Sequence, residues 1–86
     1  MNISVELTFS PLQEDFEKHI INFIKKLRAS GLKVLENPLS TQVYGDYDEV
    51  MKILQEEIKE AFELMERGLM YMKLVKSDRS EYEPHF

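Results

Sequence analysis

Strict alternation of apolar and polar side chains opens the chain and predicts a strand. Residues 3–9, ISVELTF, place every second side chain in an apolar set, which is the period of a strand with one buried face. The other face of this strand is polar and carries Ser4, Glu6 and Thr8. Ser10 and Pro11 follow, and the proline ends the predicted strand because it has no N–H to give to a neighbouring strand.

Two longer segments have helical spacing. Residues 13–30 and 47–66 repeat apolar side chains every three or four positions, so each is predicted to be a helix with one core-facing stripe. The first stripe is Phe16, Ile20, Phe23, Ile24 and Leu27, and the second is Val50, Leu54, Ile58, Ala61, Phe62 and Met65. Gly31 and Gly68 follow these segments and are typical of helix ends.

Three short apolar runs complete the pattern. Residues 32–36, 40–45 and 69–75 are predicted strands, and a turn at Asn37, Pro38 and Leu39 joins the first two. The order βαββαβ indicates an α+β fold of the ferredoxin-like type, a four-stranded antiparallel sheet with two helices on one face. Residues 1–76 form the single predicted domain, and residues 77–86 a polar C-terminal tail that we expect to be loose without a partner.

Composition and charge narrow the possible functions. The chain has 86 residues and no cysteine, so disulfides and thiolate metal sites are excluded, and homo-oligomerisation is the common remaining way to stabilise so small a domain. Eleven Lys and Arg against sixteen Asp and Glu leave a net charge of −5, which argues against a nucleic-acid partner. No apolar run approaches the roughly 20 residues that span a membrane. No signal peptide is visible, so we expect a cytoplasmic protein.

The stretch ENPLSTQVYGDYDEVM, residues 36–51, contains the candidate chemistry. Its acids Asp46, Asp48 and Glu49 fit a capping box at the start of the second helix and need neither ligand nor metal. Ser40, Thr41 and the amide of Asn37 have weaker structural reasons to be there, although a hydroxyl at a strand start can also close a local turn. Such groups both donate and accept hydrogen bonds, as a neutral heteroaromatic ring with an amino group requires.

Aromatic residues and absent motifs refine this expectation. Tyr44 and Tyr71 are candidates for stacking on such a ring, although each is equally typical of a half-buried strand position. His19 and His85 are far apart in sequence and have no partner spacing for a metal site or a catalytic triad. No Gly-rich phosphate loop is present. We therefore predict a protein without catalytic residues, metal or cofactor.

The segments ISVELTFSPL and GLKVLENPLSTQVYGDYDEVM together resemble the small thiamine-binding proteins of the YkoF-like group, over residues 2–76. The resemblance implies a ferredoxin-like fold, homo-oligomers (dimers or tetramers) built through the sheets, and non-catalytic binding of thiamine or its hydroxymethylpyrimidine part. The positions that match are Ser10, Pro11, Pro38, Ser40, Thr41 and Gly45. Asn37 stands where many relatives have glycine, and asparagine tolerates left-handed backbone better than most residues.

The predicted function is thus a homo-oligomeric cytoplasmic carrier or sensor of thiamine or its hydroxymethylpyrimidine part. The predicted ligand-binding residues are Ser10, Asn37, Ser40, Thr41, Tyr44 and Tyr71. The alternative is a structural or regulatory homo-oligomeric assembly protein that has no small-molecule ligand, and whose open sheet face is only an interface.

Overall fold

The computed structural model describes residues 1–86 and confirms the predicted ferredoxin-like α+β fold. Its elements in chain order are β1 (Asn2–Pro11), α1 (Phe16–Ala29), β2 (Lys33–Glu36), β3 (Thr41–Asp46), α2 (Tyr47–Glu63) and β4 (Gly68–Val75). The strands form one antiparallel sheet in the order β2-β3-β1-β4. Neither helix has the length and apolar character needed to cross a membrane.

The pairing of β1 with its two neighbours decides which side chains share a face of the sheet. Leu7 lies opposite Thr41 of β3 and opposite Met72 of β4, so these three side chains point to the side that the helices cover. Glu6, one residue earlier, lies opposite Gln42 and points to the other side. We call these two sides the helix face and the open face.

The hydrophobic core lies between the helix face and the two helices. Its buried apolar residues are Ile3, Val5, Leu7, Phe23, Leu27, Val43, Val50, Leu54 and Ala61. They come from β1, β3 and both helices, as the alternation and the helical stripes predicted. An edge-to-face contact between the rings of Phe9 and Phe23, with centroids 5.1 Å apart, extends the core toward the end of β1.

Both helices are shorter than predicted, and this changes the ends of their stripes. Helix α1 begins at Phe16, whose side chain is 51% exposed, and α2 ends at Glu63, next to Phe62, which is 42% exposed. The prediction that these two phenylalanines are core residues was therefore wrong. Both lie at the end of a helix, Phe16 as the first residue of α1 and Phe62 as the last but one of α2.

The C-terminal tail crosses the open face. The Ser4 hydroxyl donates a hydrogen bond to the Ser77 carbonyl oxygen (2.7 Å) and accepts one from the Arg79 N–H (2.8 Å). These contacts leave Ser4 only 7% exposed on the face that its polar strand neighbours share. Lys33 of β2 also forms an ion pair with Glu81, at 3.5 Å. The tail thus contacts the sheet, which its polar composition did not indicate.

Candidate functional site

A cavity opens on the helix face between α1 and the turn that joins β2 to β3. Its volume is about 150 Å³. Most of its lining is apolar and comes from Leu7, Phe9, Ile20, Phe23, Ile24, Pro38 and Leu39. Its polar lining comes from Thr8, Asn37, Ser40 and Thr41. The cavity therefore combines an apolar wall with a few neutral polar groups, the usual composition of a small-molecule site.

Thr41 is the most buried of the polar residues that line this cavity. It is the first residue of β3, lies opposite Leu7 on the helix face, and is only 9% exposed. Its hydroxyl group makes no hydrogen bond to any other protein group, and its oxygen is not fully enclosed, since Glu57 has the only enclosed side-chain oxygen without a partner. A hydroxyl without a protein partner at a cavity wall is available to a ligand.

Asn37 shapes the turn beside Thr41. Its side-chain oxygen accepts hydrogen bonds from the N–H groups of Leu39 (2.8 Å) and Ser40 (3.0 Å). This is the arrangement by which asparagine closes a tight turn with its own side chain. No residue other than glycine has a positive φ, so Asn37 fills the turn without left-handed backbone. Its side-chain NH₂ group has no protein acceptor, and Asn37 is one of the residues that line the cavity.

Ser40 contributes to the same turn but directs its hydroxyl differently. The Ser40 hydroxyl donates to a carboxylate oxygen of Glu6 (3.0 Å) and accepts from the side-chain amide of Gln42 (2.6 Å). Both partners are on the open face. The hydrogen-bonding capacity of this hydroxyl is therefore largely used within the protein, even though Ser40 lies at the cavity rim.

The structure brings Asn37, Ser40 and Thr41 together and places the other predicted site residues elsewhere. Tyr44 lies opposite Ser4 and Tyr71 opposite Thr8, so both rings belong to the open face, across the sheet from Thr41. Alternation explains this, since residues three apart on a strand point to opposite sides. Ser10 pairs with Leu69 near the end of β1 and does not line the cavity.

The apolar wall of the cavity was missed as a functional feature. Ile20, Phe23 and Ile24 were predicted as helix core, and they do pack toward the sheet, but the same side chains line the cavity. The turn at Asn37 and Pro38 was the available signal in the sequence, because a turn interrupts the sheet that would otherwise cover these side chains of α1.

The cavity lining contains no charged residue, and an ion pair lies at the end of β2 next to the turn. Arg28 of α1 holds Glu36 through two hydrogen bonds of 2.6 and 2.5 Å, and this contact lowers the pKa of the Glu36 carboxyl. The predicted cap of α2 is confirmed at the opposite end of β3. There the Asp46 carboxylate accepts from the N–H groups of Asp48 and Glu49 and contacts the Met1 ammonium. These contacts, the ammonium first, lower the pKa of Asp46.

The solved structures that are similar to this chain include the following three. A Thermotoga maritima protein, assigned provisionally to thiamine biosynthesis or salvage, is 22% identical, with a TM-score of 0.81 over 90% of this chain and 85% of that one. A Streptococcus pneumoniae protein is 24% identical, with a TM-score of 0.84 over 91% and 89%. A hypothetical protein from Methanocaldococcus jannaschii is 23% identical, with a TM-score of 0.77 over 93% and 84%. At these identities the likeness shows the shared fold.

A protein-family model identifies the group to which the chain belongs. The model for the family described as thiamine-binding protein matches residues 5–85, which is nearly the whole sequence and includes most of the tail. No curated protein matches the chain closely enough to count as a relative. The match confirms the resemblance inferred from the strand and turn motifs, and the chain belongs to the thiamine-binding protein family.

Proposed function

We propose that this protein binds the hydroxymethylpyrimidine part of thiamine, alone or within thiamine, in the cavity between α1 and the β2–β3 turn. The observation that carries the proposal is Thr41, a nearly buried residue whose hydroxyl has no protein partner and which lines a cavity of single-ring size. Binding requires no chemical step, so the protein acts as a non-catalytic carrier or sensor in the cytoplasm. The family description, which names binding and no reaction, supports this.

The size of the cavity favours one ring over a whole two-ring ligand. A protein cavity of about 150 Å³ holds a single benzene-sized ring, and this cavity has that volume. The pyrimidine ring of thiamine would fill it and leave the thiazolium ring outside. The rings of Phe9 and Phe23 supply an apolar wall on which an aromatic ligand can pack.

The polar groups match a neutral aminopyrimidine. Such a ring offers an amino group that donates and ring nitrogens that accept, and the Thr41 hydroxyl can serve either role. The Asn37 NH₂ group is a donor suited to a ring nitrogen. No ionised side chain lines the cavity. A thiazolium outside it would be attracted by the net charge of −5 that the chain carries.

The exposed edge of the sheet supports the part of this proposal that the protein forms a homo-oligomer, either a dimer or a tetramer. β4 is an edge strand of eight residues whose outer N–H and C=O groups have no partner strand. Leu69, Met72 and Leu74 on this strand are large apolar residues that remain substantially exposed. An exposed apolar edge of this length is a typical site for pairing with another chain. The same observation favours the alternative, an assembly protein without a ligand.

Calorimetric titration distinguishes the ligand-binding protein from an assembly protein without a ligand. We expect hydroxymethylpyrimidine and thiamine to bind with dissociation constants below about 1 mM, and the isolated hydroxyethylthiazole, which lacks the aminopyrimidine, to give no saturable heat. The absence of heat with both pyrimidine compounds, in a sample that still forms its oligomer, would contradict the binding proposal and leave the assembly protein.

A further inference from the structure

A second concave site lies on the open face, where the C-terminal tail crosses the sheet. Its volume is about 590 Å³, and one wall comes from the sheet and the other from the tail. Tyr44, Lys73 and Val75 line it from the sheet, and Arg79, Ser80 and Tyr82 from the tail. No carboxylate lines it, although the chain has five more acidic than basic side chains. We call it the tail cavity.

Both cations of the tail cavity lack an acidic partner. Lys73 lies opposite Glu6 in the β1–β4 pairing, but the two form no ion pair, and a Glu6 oxygen instead accepts from Ser40. Arg79 donates from its side-chain Nε to the Ser77 hydroxyl (2.8 Å), which leaves both terminal NH₂ groups of its guanidinium without an acceptor. The backbone of Arg79 is fixed by its N–H donating to Ser4.

The carboxylates of the tail nearest this cavity are already engaged. Asp78 accepts a hydrogen bond from the Ser80 N–H (2.9 Å), and contacts with Ser80 lower the pKa of this carboxyl. Glu81 forms its ion pair with Lys33. The lining of the tail cavity therefore has two cations without an ion-pair partner and no carboxylate, although the Glu6 carboxylate lies opposite Lys73 on the same face.

We propose that the tail cavity binds a small aromatic phosphate monoester. The Arg79 guanidinium presents paired donors that suit phosphate oxygens, and the Lys73 ammonium adds a second positive charge. The phenol rings of Tyr44 and Tyr82, with the aliphatic side chains of Leu35 and Val75, supply the surface for the aromatic body of the ligand. This site is across the sheet from Thr41, so it does not depend on pyrimidine binding.

Titration of the ¹⁵N-labelled full chain with phenyl phosphate, followed by NMR at constant ionic strength, tests the proposal. Saturable shifts are expected at Tyr44, Lys73, Arg79 and Tyr82. Lys73→Gln should weaken binding about fivefold, because one charge-assisted contact is lost. Lys52→Gln, which removes an exposed lysine of α2 outside the cavity, should leave the affinity unchanged and is the matched control.

Three results would overturn the proposal. One is no saturable shift at these residues, and another is an equal loss of affinity in the Lys52→Gln and Lys73→Gln variants, which would indicate only a general charge effect. The third is inorganic phosphate binding as tightly as phenyl phosphate, which would exclude a role for the aromatic body. Lys73→Gln leaves the Ser4 contacts of the tail in place, and thermal unfolding confirms that the variant is folded.

Discussion

Replacing Thr41 by valine separates a binding role from a structural role for the unpartnered hydroxyl. The substitution exchanges a hydroxyl for a methyl group of similar size and keeps the β-branched shape that suits a strand. The hydroxyl has no protein partner, so no hydrogen bond within the fold is lost. We therefore expect the free energy of unfolding to change by less than about 0.5 kcal/mol.

Ligand binding should respond in the opposite way. One neutral hydrogen bond contributes about 1 kcal/mol net, so Thr41→Val should weaken hydroxymethylpyrimidine binding about fivefold. Calorimetric titration measures the affinity, and urea denaturation of the ligand-free protein measures stability.

Ser4→Ala is the matched control, because that hydroxyl makes two hydrogen bonds to the tail and lies outside the cavity. It should cost about 1–3 kcal/mol of stability and leave affinity unchanged. Unaltered affinity in Thr41→Val, or a loss of stability as large as in Ser4→Ala, would refute the reasoning about Thr41.

Three further predictions concern charge and packing. Contacts with the Met1 ammonium hold the pKa of Asp46 below its ordinary value of 3.8, so its stabilising contribution is complete above that pH and is lost as pH falls through the lower folded pKa. Thermal unfolding of wild type and Asp46→Asn should therefore converge in acid, and a constant difference down to pH 2 would contradict this. Glu57 has a buried carboxylate oxygen without a partner, so Glu57→Met should raise the free energy of unfolding by about 1 kcal/mol in urea; a decrease would show an unrecognised partner. Phe23→Ala should lower the free energy of unfolding by about 3–5 kcal/mol, and Phe16→Ala by less than about 1 kcal/mol because that ring is half exposed. Equal losses of stability would show that Phe16 is a core residue.

Local patterns predicted the fold because they agree with the long-range pairing. The alternation in β1 identified its buried face, and the structure places Val5 opposite Val43 on that same face. Helix ends were less predictable, since α2 stops at Glu63 although helical spacing continues to Met65. The chain turns there so that Gly68 can pair with Pro11, and the Glu66 N–H donates to the Gln13 side chain. Contacts between residues this distant in sequence cannot be predicted from a periodic pattern.

The candidate site was predictable only in part, for the same reason. The turn chemistry of Asn37 and the hydroxyl of Thr41 are local features, and the structure places both at one cavity. Whether Tyr44 and Thr41 share a face depends on the number of residues between them along β3. They are three positions apart, and this odd spacing puts them on opposite sides of the sheet. The tail cavity was invisible in the sequence, because it forms when Arg79 is held against Ser4, 75 residues away.

The most direct test of the central claim is to map bound hydroxymethylpyrimidine by NMR on the ¹⁵N-labelled protein. The two faces of the sheet give distinct sets of reporters, Asn37 and Thr41 for the helix-face cavity and Tyr44 and Tyr71 for the open face. We predict saturable shifts at Asn37, Thr41 and Phe23, with Tyr44 and Tyr71 unaffected. Shifts confined to Tyr44 and Tyr71, or no saturable shift at all, would contradict the assignment of the ligand to the cavity beside the β2–β3 turn.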